Sequence, residues 1–279
     1  MSTATEHAIA DLDPSLRDKL AACQAELSRA GSVLVAFSGG VDSTLLLHLA
    51  AKTVGTDNVL AAMAVSTIFP QSERGIGRSA AARIGVELVE VETPQLADPN
   101  FTSNPSDRCY YCKAQMLSRL QDLARRRGLA AVLTGTNASD MDEPRAGLRA
   151  EAEQNIVRPL LTAGITKDEI RALSRALAVP GWDRPSNACL ASRIPFGSRI
   201  TPDKLGRVER AEEALAGLGF GQCRVRDHDR VARIELPPDA LDAAVRRRAE
   251  IRDAVKSAGY TYVALDLEGY RTGSAHEAS

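Results

Sequence analysis

The chain has 279 residues, 44% of them hydrophobic and 25% charged, with a net charge of −1. That is the composition of a globular protein large enough for one substantial domain or two smaller ones. The near-neutral balance argues against a broad nucleic-acid-binding surface. No run approaches the ~18 apolar residues of a membrane-spanning helix, and the polar, acidic segment Met1–Asp13 lacks the apolar region of a signal peptide. These features predict a cytoplasmic protein with no membrane partner. In a reducing compartment the five cysteines, Cys23, Cys109, Cys112, Cys189 and Cys223, should be thiols, ligands or catalytic sulfurs rather than disulfides.

In chain order, Pro14 and the helical spacing of Leu16, Leu20, Cys23 and Leu27 predict a helix over 14–30, ended by Gly31. The apolar run Val33–Phe37 predicts a buried strand. A glycine turn follows, then a helix over 44–54 and a strand over 59–65. A helix over 72–84 ended by Gly85, a strand over 86–91, a proline-punctuated loop, a helix over 113–127 and a strand over 130–133 complete the pattern. Strands alternating with helices predict an α/β fold with a parallel sheet and ligands at the carboxyl ends of its strands. Thr166 and Glu169 have the spacing of a capping box, predicting a helix over 167–178. Beyond Pro180 the pattern changes to helix 203–217, strand 222–226, strand 231–236, helix 238–258 and strand 261–267. This predicts a separate, smaller C-terminal α+β domain, giving domains of 14–194 and 195–274.

The segment Ser38-Gly39-Gly40-Val41-Asp42-Ser43 joins the first strand of the sheet to its first helix. Two glycines permit close backbone approach, the helix start presents unpaired N–H groups, and the serines add hydroxyls, which together suit a phosphate or pyrophosphate. The hexapeptide resembles the PP-loop of the ATP pyrophosphatases, a family that includes NAD synthetases, GMP synthetases and tRNA thiolation enzymes. The resemblance implies a Rossmann-like fold of the adenine nucleotide alpha hydrolase kind, cleavage of ATP between its α and β phosphates, and Mg²⁺ held by Asp42. Gly135-Thr136-Asn137-Ala138-Ser139-Asp140 follows the fourth strand, resembles another segment of that family's nucleotide site, and offers Asp140 as a second metal contact. Ala64-Val65-Ser66 resembles the adenine-side strand end. The implied ATP-binding set is Ala36, Ser38, Gly39, Gly40, Asp42, Ser43, Ala64, Gly135, Thr136 and Asn137.

Cys109-Tyr110-Tyr111-Cys112 is predicted in the loop just before a helix, where thiols are biased toward thiolate. Two cysteines are too few for a metal centre; Cys189, in Ser186-Asn187-Ala188-Cys189-Leu190-Ala191-Ser192-Arg193, is the natural third. Three thiolates fit zinc with an outside ligand or a 4Fe-4S cluster with one open iron; a redox pair with Cys189 as a buried apolar residue is the remaining reading.

Arg108-Cys109-Tyr110-Tyr111-Cys112-Lys113, Ala188-Cys189-Leu190-Ala191-Ser192-Arg193 and the tail Leu265–Ser274 together resemble the LarE family. These ATP-dependent sulfur transferases build the nickel-pincer nucleotide cofactor of lactate racemase. Their substrate is a pyridinium-3,5-biscarboxylic acid mononucleotide, which is adenylated and converted to a thiocarboxylate. Some members sacrifice the sulfur of one cysteine, and others carry sulfide on a three-cysteine 4Fe-4S cluster. The resemblance implies the second kind, with Cys109, Cys112 and Cys189 as ligands, Cys189 and Asp42 as catalytic residues, sulfide or a sulfur-donor protein as partner, and a homo-oligomer. Arg224 and Arg226 alternate on a strand and so share a face. With Ser192, Arg193, Glu212, Glu235 and Arg271 they match family positions around the substrate. A tRNA thiolation enzyme and an NAD-synthetase-like amide-forming ligase are the alternatives. The first should show a basic RNA-binding module, and the second needs no cysteine triad.

Overall fold

The computed structural model describes residues 8–10, 12–141, 146–184 and 188–271. Ser186 and Asn187 of the Cys189 motif and Thr272, Gly273 and Ser274 of the tail lie outside the described residues. The chain forms two compact units, one of Met1–Ser66, Gln71–Thr93 and Cys109–Asn187, the other of Thr67–Pro70, Pro94–Arg108 and Ala188–Ser279.

In the first unit, α1 (Pro14–Ala30) begins where the Asp13 carboxylate accepts the Ser15 N–H at 2.8 Å. It buries Leu16, Leu20, Cys23 and Leu27 and ends at Gly31, whose φ of 72° favours glycine. The strands β1 (Val33–Ala36), β2 (Val59–Val65), β3 (Glu87–Glu92) and β4 (Ala131–Leu133) form a parallel sheet in the order β3-β2-β1-β4. The helices α2 (Val41–Val54), α3 (Gln71–Ile84), α4 (Arg108–Arg126), α5 (Ala146–Glu153) and α6 (Lys167–Ala176) complete the unit.

Central β1 is apolar on both faces, as a covered parallel strand must be. Val33 and Val35 join a core with α1, α2 and α6, while Leu34 joins Leu60, Val132 and the α4 residues Leu117, Leu120 and Leu123 on the other side. Among the described residues no helix is long and apolar enough to cross a membrane.

Two helix starts differ from the sequence reading. Helix α2 begins at Val41, three residues before the predicted Thr44, so the glycine turn runs directly into it. Helix α4 begins at Arg108 instead of Lys113, because the chain after Pro105 turns at once into helix through the Arg108 N–H to Pro105 O bond. Cys109 and Cys112 therefore sit in its first turn, not in the preceding loop.

In the second unit, α7 (Pro202–Gly217), β5 (Arg224–His228), β6 (Val231–Glu235), α8 (Leu241–Arg246), α9 (Arg248–Ser257) and β7 (Tyr262–Leu265) build a three-stranded sheet in the order β5-β6-β7. The β5–β6 pair is antiparallel and β6–β7 parallel. Leu215, Val225, Ile234, Val255 and Tyr260 are among its core residues. Strand β5 lies two residues later than predicted, running to a tight turn where Asp229 takes a φ of 57°. The single helix predicted over 238–258 is broken at Arg247, whose guanidinium donates to Leu218 O at 2.6 Å.

The predicted capping box at α6 is formed: Thr166 Oγ1 accepts the Glu169 N–H, and the Glu169 carboxylate accepts the Thr166 N–H at 2.8 Å. Thr166→Ala should destabilise the protein by about 1 kcal/mol, read as a lower denaturant midpoint with an unchanged slope. An unchanged midpoint would show that tertiary packing alone fixes this helix start.

Candidate functional site: a phosphate cradle and an arginine-rich cysteine turn

Gly39 has a φ of 77°, and a Cβ built on it would stand 3.1 Å from Gly77 Cα, so helix α3 crosses the turn at backbone contact distance. Gly40 caps α2 without any side-chain hydrogen bond. Its carbonyl accepts from Thr44 N–H at 2.9 Å, Thr44 Oγ1 at 2.8 Å and Ser43 Oγ at 3.0 Å. Ser38 Oγ lies 3.1 Å from Ser43 Oγ and accepts the Gly40 N–H at 3.3 Å. Two hydroxyls therefore meet across the turn in front of a helix start that its own side chains leave uncapped, an arrangement that attracts an anion. Ala36 and Ala64 lie at the carboxyl ends of β1 and β2, the sheet edge onto which this turn opens.

The turn after β4 closes on the same helix. A Cβ on Gly135 would be 2.9 Å from Ser43 N and 3.0 Å from Asp42 C, so only glycine fits without moving backbone. Asn137 and Asp140 interlock: the Asn137 N–H donates to Asp140 Oδ2 and the Ser139 N–H to Asn137 Oδ1, both at 3.0 Å. Asp42, in the first turn of α2, accepts from Lys167 Nζ at 2.5 Å. Burial pushes the Asp42 carboxyl above its usual range, Asp140 nearby adds to this, and Lys167 and Arg171 oppose it. Two carboxylates near enough to influence each other at a phosphate cradle suit a divalent cation, and Lys167 supplies positive charge there. Lys167 was missed in the sequence reading, although its place as the first helical residue, inside the Thr166–Glu169 capping box, was visible.

Two further residues were missed. The carboxylate of Glu151, fully buried, accepts from Thr136 Oγ1 at 2.8 Å and 3.0 Å and pairs with Lys113 Nζ at 2.5 Å. This links the Cys109–Cys112 helix to the Gly-Thr-Asn turn. Cys109 is exposed and Cys112 half-buried, three residues apart and hence on one helical face. Cys23 and Cys223 are buried, and burial above all pushes both thiols up to about 12. Among the described residues no three His, Cys, Asp or Glu side chains are gathered as a metal site requires.

In the second unit the half-buried Cys189 precedes a single turn, Leu190–Arg193. Its carbonyl accepts from Ser192 Oγ at 2.8 Å and Arg193 Nη1 at 3.0 Å. Arg193, fully buried, forms a bidentate pair with Glu212 at 2.9 Å on both arms. Arg226 pairs in the same way with Glu235 at 2.9 Å and 2.8 Å and donates to Ser192 O at 3.0 Å. Arg224 donates to Cys223 O and lies over the Tyr270 ring at 5.2 Å; burial and then Arg193 hold it below the usual range. Arg271 pairs with Glu268 at 2.5 Å on the surface.

No family model matches the chain. A pyridinium-3,5-bisthiocarboxylic acid mononucleotide synthase of Lactiplantibacillus plantarum is 36% identical over 263 residues, which are 94% of this chain and 95% of that protein. The chain belongs to this family, the LarE sulfur transferases. An uncharacterized protein of Synechocystis, 42% identical over 89% of the chain and 92% of its own length, is similar throughout. Weaker similarity, 26% identity over 57% of the chain and 58% of the relative, reaches an NH₃-dependent NAD⁺ synthetase of Chlorobaculum tepidum. LarE enzymes and that synthetase thus share the ATP-using PP-loop architecture seen in the first unit.

Two outcomes follow from this geometry. Gly135→Ala should weaken MgATP binding and cost about 1–3 kcal/mol of stability through overpacking against α2; unchanged ATP affinity would detach that turn from the nucleotide site. Because the folded-state pKa of Asp42 is raised, its protonated form stabilises the ligand-free chain at low pH, and that stabilisation is lost as pH rises through the folded value. The melting temperature of Asp42→Asn relative to wild type should therefore shift in favour of the variant between about pH 4 and about pH 8. The opposite trend would mean that Lys167 outweighs burial.

Proposed function

We propose that the chain adenylates a carboxylate of pyridinium-3,5-biscarboxylic acid mononucleotide with ATP and exchanges the activated oxygen for sulfur, giving a thiocarboxylate for nickel-pincer nucleotide synthesis. The observation that carries this reading is the uncapped start of α2 at Ser38–Ser43, with Asp42 and Asp140 beside it, in a chain of this family. Ser38, Gly39, Gly40 and Ser43 take the β and γ phosphates, and Asp42 and Asp140 hold Mg²⁺. Ala36, Ala64, Gly135, Thr136 and Asn137 border the remaining nucleotide. The substrate carboxylate oxygen attacks the α phosphorus, the α–β bond breaks, and pyrophosphate leaves. Sulfide then attacks the acyl carbon, the C–O bond to AMP breaks, and AMP departs with one substrate oxygen.

The sulfur side belongs to Cys109, Cys112 and Cys189. Cys109, Cys112 and Cys189, the three cysteines that are not buried, are the residues that would hold the 4Fe-4S cluster carried by three-cysteine members of the family. The cluster, when bound, supplies sulfide at its open position. The arginine-rich face takes the substrate through Ser192, Arg224, Arg226 and Arg271, with Glu235, while Arg193 and Glu212 hold the turn that carries Ser192. Arg224, depressed by burial and by a neighbouring guanidinium, gains most from an anion.

Under anaerobic conditions the wild type should form AMP and pyrophosphate in step with thiocarboxylate, and formation of ADP and phosphate would sink the reading. Arg224→Ala should weaken mononucleotide binding at least about tenfold, the loss of a charge-assisted hydrogen bond worth about 1.5–3 kcal/mol, while leaving ATP binding unaltered. Equal affinity in the variant would remove Arg224 from the substrate site.

A further inference from the structure

We propose that Arg193 and Glu212 are positioning residues: a guanidinium–carboxylate brace, buried at its arginine, that fixes the Cys189 turn, rather than groups that contact the substrate's anions. The inference rests on Cys189 being a thiol of the sulfur-delivering side.

Arg193 has no exposed surface. Its Nε and Nη2 donate to the two Glu212 oxygens, and its Nη1 donates to Ala188 O at 2.7 Å, Cys189 O at 3.0 Å and Ser192 Oγ at 3.0 Å. The guanidinium thus spans from helix α7, which carries Glu212, to the backbone on both sides of the Cys189 side chain. Glu212 Oε1 also accepts the Val225 N–H at 2.9 Å, so the brace is tied to strand β5 as well. For Arg193 to turn toward a ligand, these bonds would have to break, leaving the half-buried Glu212 carboxylate without its guanidinium and the Ala188 and Cys189 carbonyls without their donor, which is unfavourable. A bidentate pair has two constrained arms and no net charge, properties that suit it to fixing a loop and not to attracting an anion. A second pair, Arg226 with Glu235, reaches the same turn at Ser192 O. The Cys189 turn also docks within its own unit through the Leu190 N–H to Ile68 O at 2.8 Å.

The two roles predict different behaviour from the carboxylate. If Arg193 gripped an anion, Glu212→Gln would leave binding unchanged or tighter. If the pair is a brace, losing either partner should loosen the same turn.

The test uses full-length Arg193→Met, Glu212→Gln and the apolar double variant Arg193→Met/Glu212→Leu. In the double variant neither charge is left unpaired, so it should fold even if the single variants do not. We expect mononucleotide affinity within about threefold of wild type, AMP formation retained, thiocarboxylate per AMP reduced about tenfold, and a double variant no worse than either single one, as for residues acting through one interaction. Hydrogen exchange over residues 188–194 should be faster in every variant that folds. Mononucleotide affinity lowered more than about tenfold by Arg193→Met while Glu212→Gln binds as well as wild type would overturn the proposal in favour of direct contact. Wild-type thiocarboxylate yield and wild-type exchange in the double variant would overturn it equally. A wild type that makes no AMP would instead refute the functional reading, and the exchange measurement would still judge the brace on its own.

Discussion

The first unit depends on backbone meeting backbone where a Cβ has little or no room. Gly39 lies against Gly77, and Gly135 lies against the first turn of α2. These contacts bring α3 and the turn after β4 close enough to surround the start of α2, so the uncapped N–H groups and the serine pair face a bounded space. Hydroxyls, carboxylates and a lysine can converge there only because those backbones approach so closely. A side chain at Gly135 would separate the Gly-Thr-Asn turn from Asp42 by displacing main chain, which no rotamer change can relieve.

Charge is handled differently in the two units. Near the cradle, Asp42 is held partly buried beside Asp140, with Lys167 as internal counter-ion, a costly arrangement that a divalent cation and a triphosphate relieve. In the second unit, arginines are matched to carboxylates in bidentate pairs that stiffen the segment around Cys189. Glu151, fully buried between Lys113 and Thr136, performs a similar task in the first unit by tying the Cys109–Cys112 helix to the nucleotide turn. Both cysteine-bearing segments are thus anchored through buried carboxylates.

The sequence made the local features legible. The apolar stripe of α1, the both-faced apolar β1 and the Thr166–Glu169 box are patterns within a few residues, and they formed as the spacing predicts. Non-local features left no such mark. Lys167 meets Asp42 across 125 positions, and Glu151 meets Lys113 and Thr136 only because the fold brings three elements together. The early start of α4 and the break at Arg247 lack a proline or glycine signal at the boundary itself. The assignment of 67–70 and 94–108 to the second unit depends on contacts far along the chain.

The central claim is that a substrate carboxylate is activated as an acyl adenylate and then attacked by sulfur. Mononucleotide labelled with ¹⁸O in its carboxylates should, with MgATP and sulfide under anaerobic conditions, yield AMP carrying one ¹⁸O in its phosphate for each thiocarboxylate formed. AMP free of label, with thiocarboxylate still appearing, would contradict the acyl-adenylate route.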